Sequence, residues 1–155
     1  MIADLDDEVS FLSTEAYDFY QQLLHNTQAV IVGRRTYEIM QDGDFIADKT
    51  YVVLTSHPKE TGRDNVFMTD DGPQTIIENL VHNNTTEILV WGGGITNTSF
   101  LKQNLIDQVI LDIEPSLLGQ GVCLCAPDDL NIDLTLEQVQ EYGTGGVRLF
   151  YTIKK

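Results

Sequence analysis

The chain has 155 residues, 42% of them hydrophobic, and a formal net charge of -15. That length suits one domain with a sizeable core, and no apolar run approaches the roughly 20 residues a membrane-spanning helix needs. The long-range negative field excludes nucleic acid and anionic membranes as natural partners. It leaves room for a phosphorylated small molecule, because local cations and backbone N–H groups act within a Debye length of about 8 Å.

No Lys or Arg precedes Arg34, whereas Asp4, Asp6 and Asp7 come early, so the start reads as neither a signal peptide nor a transit peptide. A cytoplasmic protein is expected. Cys123 and Cys125 lie two apart, where a strand would put both on one face, with no further Cys or nearby His to complete a metal site. Reduced thiols and no metal are the expectation.

In chain order, Ala16, Tyr17, Tyr20, Leu23 and Leu24 recur at three- and four-residue spacings, which predicts an amphipathic helix from Thr14 to His25 capped by Ser13 or Thr14. A short apolar strand follows from Gln28 to Val32, ending at Gly33, and then a brief helix from Arg34 to Met40. Thr50 to Leu54 reads as a second strand ending at Thr55-Ser56, and Asn65 to Met68 as a third. Pro73 opens a helix to His82 that buries Ile76, Ile77 and Leu80. Ile88 to Trp91 is a buried strand that stops on Gly92-Gly93-Gly94, and Ser99 to Leu105 completes another helical segment.

Beyond this point the period changes. Val109, Leu111 and Ile113 alternate with Gln108, Ile110 and Asp112, and Val147, Leu149, Tyr151 and Ile153 alternate likewise after a Gly143-Thr144-Gly145-Gly146 hairpin signal. Leu134 to Tyr142 is the expected partner strand, although the spacing of Leu136, Val139 and Tyr142 also suits a helix. Helices alternating with strands, then a hairpin, predict an α/β protein with a mixed, mostly parallel sheet.

Ligands of open α/β sheets bind beyond the carboxyl ends of the strands, and three such ends here carry unusual chemistry. Gly33-Arg34-Arg35-Thr36 opens a helix directly after a strand and offers N–H groups, a hydroxyl and two guanidiniums to a phosphate. Thr55 and Ser56 supply hydroxyls at the second, and Gly92, Gly93 and Gly94 supply bare backbone at the third. Each has a plain structural rival: surface ion pairs for the arginines, a turn for Thr55-Ser56, tight packing for the glycines. Their coincidence at successive strand ends favours a nucleotide site. The spacing fits neither a Walker loop nor a dinucleotide fingerprint, since no Gly-Lys-Ser/Thr is present and Asn97 stands where the third glycine would be.

Three segments resemble the dihydrofolate reductase-like superfamily, and within it the reductase domain of riboflavin biosynthesis: Val30 to Glu38 with its Gly33-Arg34-Arg35-Thr36 opening, Trp91-Gly92-Gly93-Gly94, and Leu105 to Val109 followed by Pro115-Ser116-Leu117-Leu118-Gly119-Gln120-Gly121. The resemblance implies a three-layer dihydrofolate reductase-like fold over residues 1–155 with a C-terminal antiparallel hairpin. It implies NADPH as cofactor, with Arg34, Arg35 and Thr36 on the adenosine side, Thr55 and Ser56 near the 2′-phosphate, and Gly92, Gly93, Gly94 and Ile95 about the pyrophosphate. The implied reaction is hydride transfer to a small pterin-like or aminopyrimidine-like substrate, in a homodimer.

The departure from the family is at the start. Members begin with an apolar strand and a Ser-Leu-Asp-Gly-like turn, whereas this chain opens at Met1-Ile2-Ala3-Asp4. A break in the sheet is therefore expected, since the acidic run Asp4 to Glu8 does not replace a buried strand. A start assigned too late, a natural truncation filled by another segment or subunit, and a degenerate protein are the competing origins. Asp4 is the resemblance's candidate proton donor, with a solvated N-terminal acid as its rival. Tyr37 and Trp91 are candidate pocket walls or simple core aromatics, and no nucleophile with an adjacent base is recognisable. The alternative to a reductase is a non-catalytic nucleotide-binding or dimerisation module.

Overall fold

The computed structural model describes residues 1–6 and 8–154; Asp7, within the acidic run singled out above, lies outside the described residues. Four helices and seven strands follow one another as α1 (Thr14–Asn26), β1 (Ala29–Gly33), α2 (Arg34–Ile39), β2 (Thr50–Leu54), β3 (Val66–Thr69), α3 (Pro73–His82), β4 (Ile88–Val90), α4 (Gly94–Lys102), β5 (Gln108–Ile113), β6 (Leu134–Tyr142) and β7 (Gly146–Ile153). The first four strands form a parallel sheet in the order β3-β2-β1-β4, and the last three an antiparallel sheet in the order β5-β7-β6. The α/β class, the mostly parallel sheet and the C-terminal hairpin are those the sequence predicts.

Strand β1 is central because its sequence is apolar on both faces. Ala29 and Ile31 pack with Val52, Ile76, Leu80 and Phe100 on the side of α3 and α4. Val30 and Val32 pack with Tyr51, Val53, Val66 and Leu24 on the side of α1. The result is helix, sheet, helix. Local signals set the helix ends: the Ser13 hydroxyl accepts from Ala16 N to start α1, and buried Lys49 donates its Nζ to the His25 carbonyl at 2.9 Å near the other end. Pro73 opens α3 behind Gly72. Asn104, at φ 56°, turns the chain out of α4, and Leu105 N returns to the Phe100 carbonyl.

Two sequence expectations are corrected. Helix α4 begins at Gly94 rather than Ser99, because the weak helix formers Thr96 and Thr98 are buried against the fold, and tertiary packing overrides their propensity. The thiols of Cys123 and Cys125 do not share a strand face: the chain bends at Leu124 and Cys125, just after Val122 pairs with Ala3 in an isolated antiparallel bridge. The ambiguous segment is strand β6, and its register shift between Leu136 and Gln138 explains why its apolar spacing departs from two.

Among the described residues no strand hydrogen-bonds β4 to β5, so the two sheets are separate. Helix α1 spans the break. Leu24 enters the core of the parallel sheet, and Phe19 meets Phe150 of β7 edge to face at 6.1 Å. Beneath it, buried Arg148 forks onto buried Asp112 with two 2.7 Å hydrogen bonds, and its guanidinium lies 3.4 Å from the Phe19 ring centre. Glu114 then accepts from Ser13 N, Ser13 Oγ and Tyr142 Oη.

Removing one partner of a buried ion pair strands the other charge, so Arg148→Ala costs about 3–5 kcal/mol in urea unfolding, while a loss within measurement error would mean that the pair is dispensable. Burial and neighbouring Asp112 push the Tyr20 hydroxyl up to about 12, from an ordinary 10.0, and burial also raises Tyr142. A proton held more tightly in the folded state makes stability full below pH 10 and diminishing as pH rises toward 12. Thermal melts across that window should show this decline, and Tyr20→Phe should flatten it.

Candidate nucleotide-binding site

The parallel register sets the carboxyl ends side by side. Gly33 of β1 pairs with Leu54 of β2, and Ile31 pairs with Val90 of β4, so Thr55 and Trp91 are the first residues past the neighbouring ends. The pairing continues into the glycine loop: Trp91 N donates to the Ile31 carbonyl and Gly33 N to the Gly92 carbonyl, both at 2.8 Å. Gly33 has no spare room, since a Cβ there would stand 2.7 Å from Thr96 Oγ1. The end of β1, the glycine loop and the first turn of α4 are thus in mutual contact.

Gly93 faces a different environment. Within 4 Å a Cβ on it would meet only the Thr36 hydroxyl, at 3.7 Å. The start of α2 and the glycine loop therefore lie side by side. Both α2 and α4 begin with a glycine N-cap and no side-chain cap, unlike α1, so their first-turn N–H groups lack a capping side chain. Uncapped amides beside a side-chain-free loop fit a pyrophosphate well.

The remaining predicted residues are placed less uniformly. Arg34 and Arg35 are exposed at the start of α2, and Arg34 binds Glu38 one turn on at 2.6 and 2.8 Å. Thr55 is buried: its N–H donates to the Thr69 carbonyl and its hydroxyl accepts from His57 N, which is turn chemistry. Ser56 is exposed and bonds His57 Nδ1 at 2.9 Å. Ile95 is 79% exposed on the first turn of α4. Tyr37 and Trp91 pack against the core on the α1 side of the sheet. The Asp4 carboxylate accepts from Asp6 N and Glu8 N, both at 2.9 Å, and so holds its own loop. His25 and His82 lie in the last turns of α1 and α3, where cations suit the helix dipole.

Sequence reasoning missed the segment that packs over the start of α4. Ala126 N donates to the Gly94 carbonyl at 3.1 Å and to Thr98 Oγ1 at 2.9 Å, and Asn97 Nδ2 donates to the Leu124 carbonyl at 2.8 Å. Gly94 is tight against it, with the Cys123 carbonyl 2.7 Å from where a Cβ would stand. The signal available was Asn97-x-x-Phe100, a polar residue displaced from a glycine motif yet close to it. A 280 Å³ groove lined by Val9, Leu12, Ser13, Thr14 and Tyr17 lies elsewhere, at the start of α1.

Comparison with known proteins places this arrangement. The chain is 27% identical over 157 aligned residues to the uncharacterised protein YwjB of Bacillus subtilis, covering 97% of this chain and 90% of that protein. Its fold superposes with a TM-score of 0.84 on a Shewanella sp. PV-4 protein whose name places it provisionally in riboflavin biosynthesis, at 23% identity over 99% of this chain and 92% of the other. A Thermotoga maritima diaminohydroxyphosphoribosylaminopyrimidine deaminase/5-amino-6-(5-phosphoribosylamino)uracil reductase matches with a TM-score of 0.76 and 16% identity, over 99% of this chain and 53% of that one. The RibD C-terminal domain family matches residues 2–147, a span that takes in all three strand ends, the glycine loop and the segment packed over α4, and the chain belongs to that family.

Proposed function

We propose that this chain is an NADPH-dependent reductase of a small heterocyclic substrate, pterin-like or aminopyrimidine-like, working in the cytoplasm as a homodimer of one domain spanning residues 1–155. The observation that carries the reading is that Gly93, the N-cap of α4, stands beside Thr36 in the first turn of α2, with both helices starting without a side-chain cap. When bound, NADPH supplies the hydride. The chain's own residues bind and orient it: Gly92, Gly93, Gly94 and Ile95 present backbone to the pyrophosphate, and Thr36 adds a hydroxyl. Arg34 and Arg35 hold the adenosine end, with Ser56 and the buried Thr55 at the neighbouring strand end. Asp4 is given no chemical step, because its carboxylate already serves two N–H groups.

A second reading, a nucleotide-binding or dimerisation module without chemistry, is favoured by the break between β4 and β5. Homodimerisation is supported by the outer face of the antiparallel sheet. There the register aligns Val109 with Tyr151 and Leu136, and Leu111 with Leu149 and Val139, on the face opposite Arg148 and Phe150. Leu136 and Val139 are 49% and 54% exposed. An apolar patch of this kind marks an association surface.

Titration of the purified protein with NADPH, followed by nicotinamide fluorescence, should saturate. Arg34→Ala and Arg35→Ala should each weaken NADPH by about 10- to 100-fold, the scale of one lost charge-assisted hydrogen bond, and weaken NADH less. Absence of saturable binding at high micromolar NADPH sinks both readings of the nucleotide site. Binding without oxidation of NADPH by any of a panel of pterins, aminopyrimidines and quinones selects the module. The double substitution Leu136→Lys with Val139→Lys should convert a dimer to a monomer in light scattering; a wild-type protein already monomeric at high micromolar concentration removes the dimer.

A further inference from the structure

Cys123 is exposed, Cys125 is partly so, and both thiols are free. One residue separates them, and the chain bends at Leu124 and Cys125. In an extended chain the Cα atoms of alternate residues stand about 7 Å apart. A disulfide spans roughly 4.4–6.8 Å between Cα atoms, so a bend between the two residues is the backbone condition for joining them. Among the described residues no cluster of three or more His, Cys, Asp or Glu side chains surrounds them to hold a metal ion.

The pair is also mechanically tied to the glycine loop. The Cys123 carbonyl closes over Gly94, the Leu124 carbonyl accepts from Asn97, and Ala126 N donates to Gly94 and Thr98. These three residues therefore hold the first turn of α4, which begins beside the proposed pyrophosphate position.

We propose that Cys123 and Cys125 form a reversible thiol–disulfide switch that sets the order of the first turn of α4, and thereby the affinity for the nucleotide. The effect on the nucleotide rests on the cofactor reading above; the effect on the helix does not. The oxidant is a low-molecular-weight disulfide. The Cys123 thiolate attacks one of its sulfurs, forming a mixed disulfide and releasing one thiolate, which takes up the proton that Cys123 lost. The Cys125 thiolate then attacks Cys123 Sγ and expels the second thiolate, which is protonated in turn. Two protein thiols are oxidised and one small disulfide is reduced to two thiols. Closing so short a ring in an exposed bend reorients the carbonyls of residues 123 and 124, which frees Asn97 and opens the contact over Gly94. An exposed, constrained disulfide has the high reduction potential of a labile, regulatory bond.

The test incubates the whole protein with oxidised or reduced glutathione and compares wild type with the Cys123→Ser/Cys125→Ser double variant. Oxidised wild type should lose two hydrogens in intact mass without retaining glutathione, and the amides of residues 94–97 should exchange with deuterium about tenfold faster, a usual scale for coupled sites. NADPH affinity should fall by a similar factor, return with a thiol reductant, and stay constant in the double variant. The proposal is overturned if wild type keeps both thiols under oxidised glutathione, or if the disulfide forms with exchange at 94–97 unchanged. Faster exchange in a protein that never binds NADPH, oxidised or reduced, upholds the switch and removes the cofactor reading instead.

Discussion

The arrangement depends on one helix holding two sheets whose strands, among the described residues, do not pair with one another. Helix α1 does this at two positions with different chemistry: Leu24, near its end, is an apolar knob in the parallel sheet, and Phe19, mid-helix, is a lid on a buried charge. Arg148 is the atom-level hinge of the arrangement. It satisfies Asp112 on its own sheet and presents a flat cationic face to Phe19 above and Tyr142 beside it. A lysine in its place would keep the charge and lose both the fork and the stacking plane.

The candidate site inherits its position from the parallel half alone. Gly33, the glycine loop and the first turn of α4 are bonded to β1 and to one another, so that part is set by backbone pairing. The antiparallel half contributes through what precedes it: the chain between α4 and β6 folds back, bridges Ala3 through Val122, and closes over Gly94. The candidate site and the segment about Ala3 are therefore linked through residues 122–126 rather than through either sheet.

Much of this was legible in the sequence because it is local or periodic. The unbroken apolar run at Ala29 to Val32 marked the central strand, the alternation about Leu111 and Leu149 marked the outer sheet, and Pro73 marked a helix start. The convergence of Thr36 with Gly93 was legible only as coincident strand ends. What escaped was set by tertiary packing. Thr96 and Thr98 favour a helix here because they are buried, the bend at Leu124 is held by the bond its carbonyl accepts from Asn97 and by that of Ala126 N to the Gly94 carbonyl, and the Asp112–Arg148 pair joins residues on different strands that no local pattern couples.

Among the described residues, the separation of the sheets leaves β4 and β5 each with one edge on which no strand pairs. Strand β4 is only three residues long and offers little to a stranger, but β5 runs for six residues as Gln-Val-Ile-Leu-Asp-Ile with a regular register and a single charge. Such an edge is a template on which another chain can crystallise its own strand. The net charge of -15 is then more than a solubility tag: mutual repulsion keeps neighbouring molecules from docking edge to edge. Colloidal behaviour becomes a readout of the fold, because salt near 1 M shrinks the screening length to about 3 Å and removes that barrier while leaving the β5 template intact.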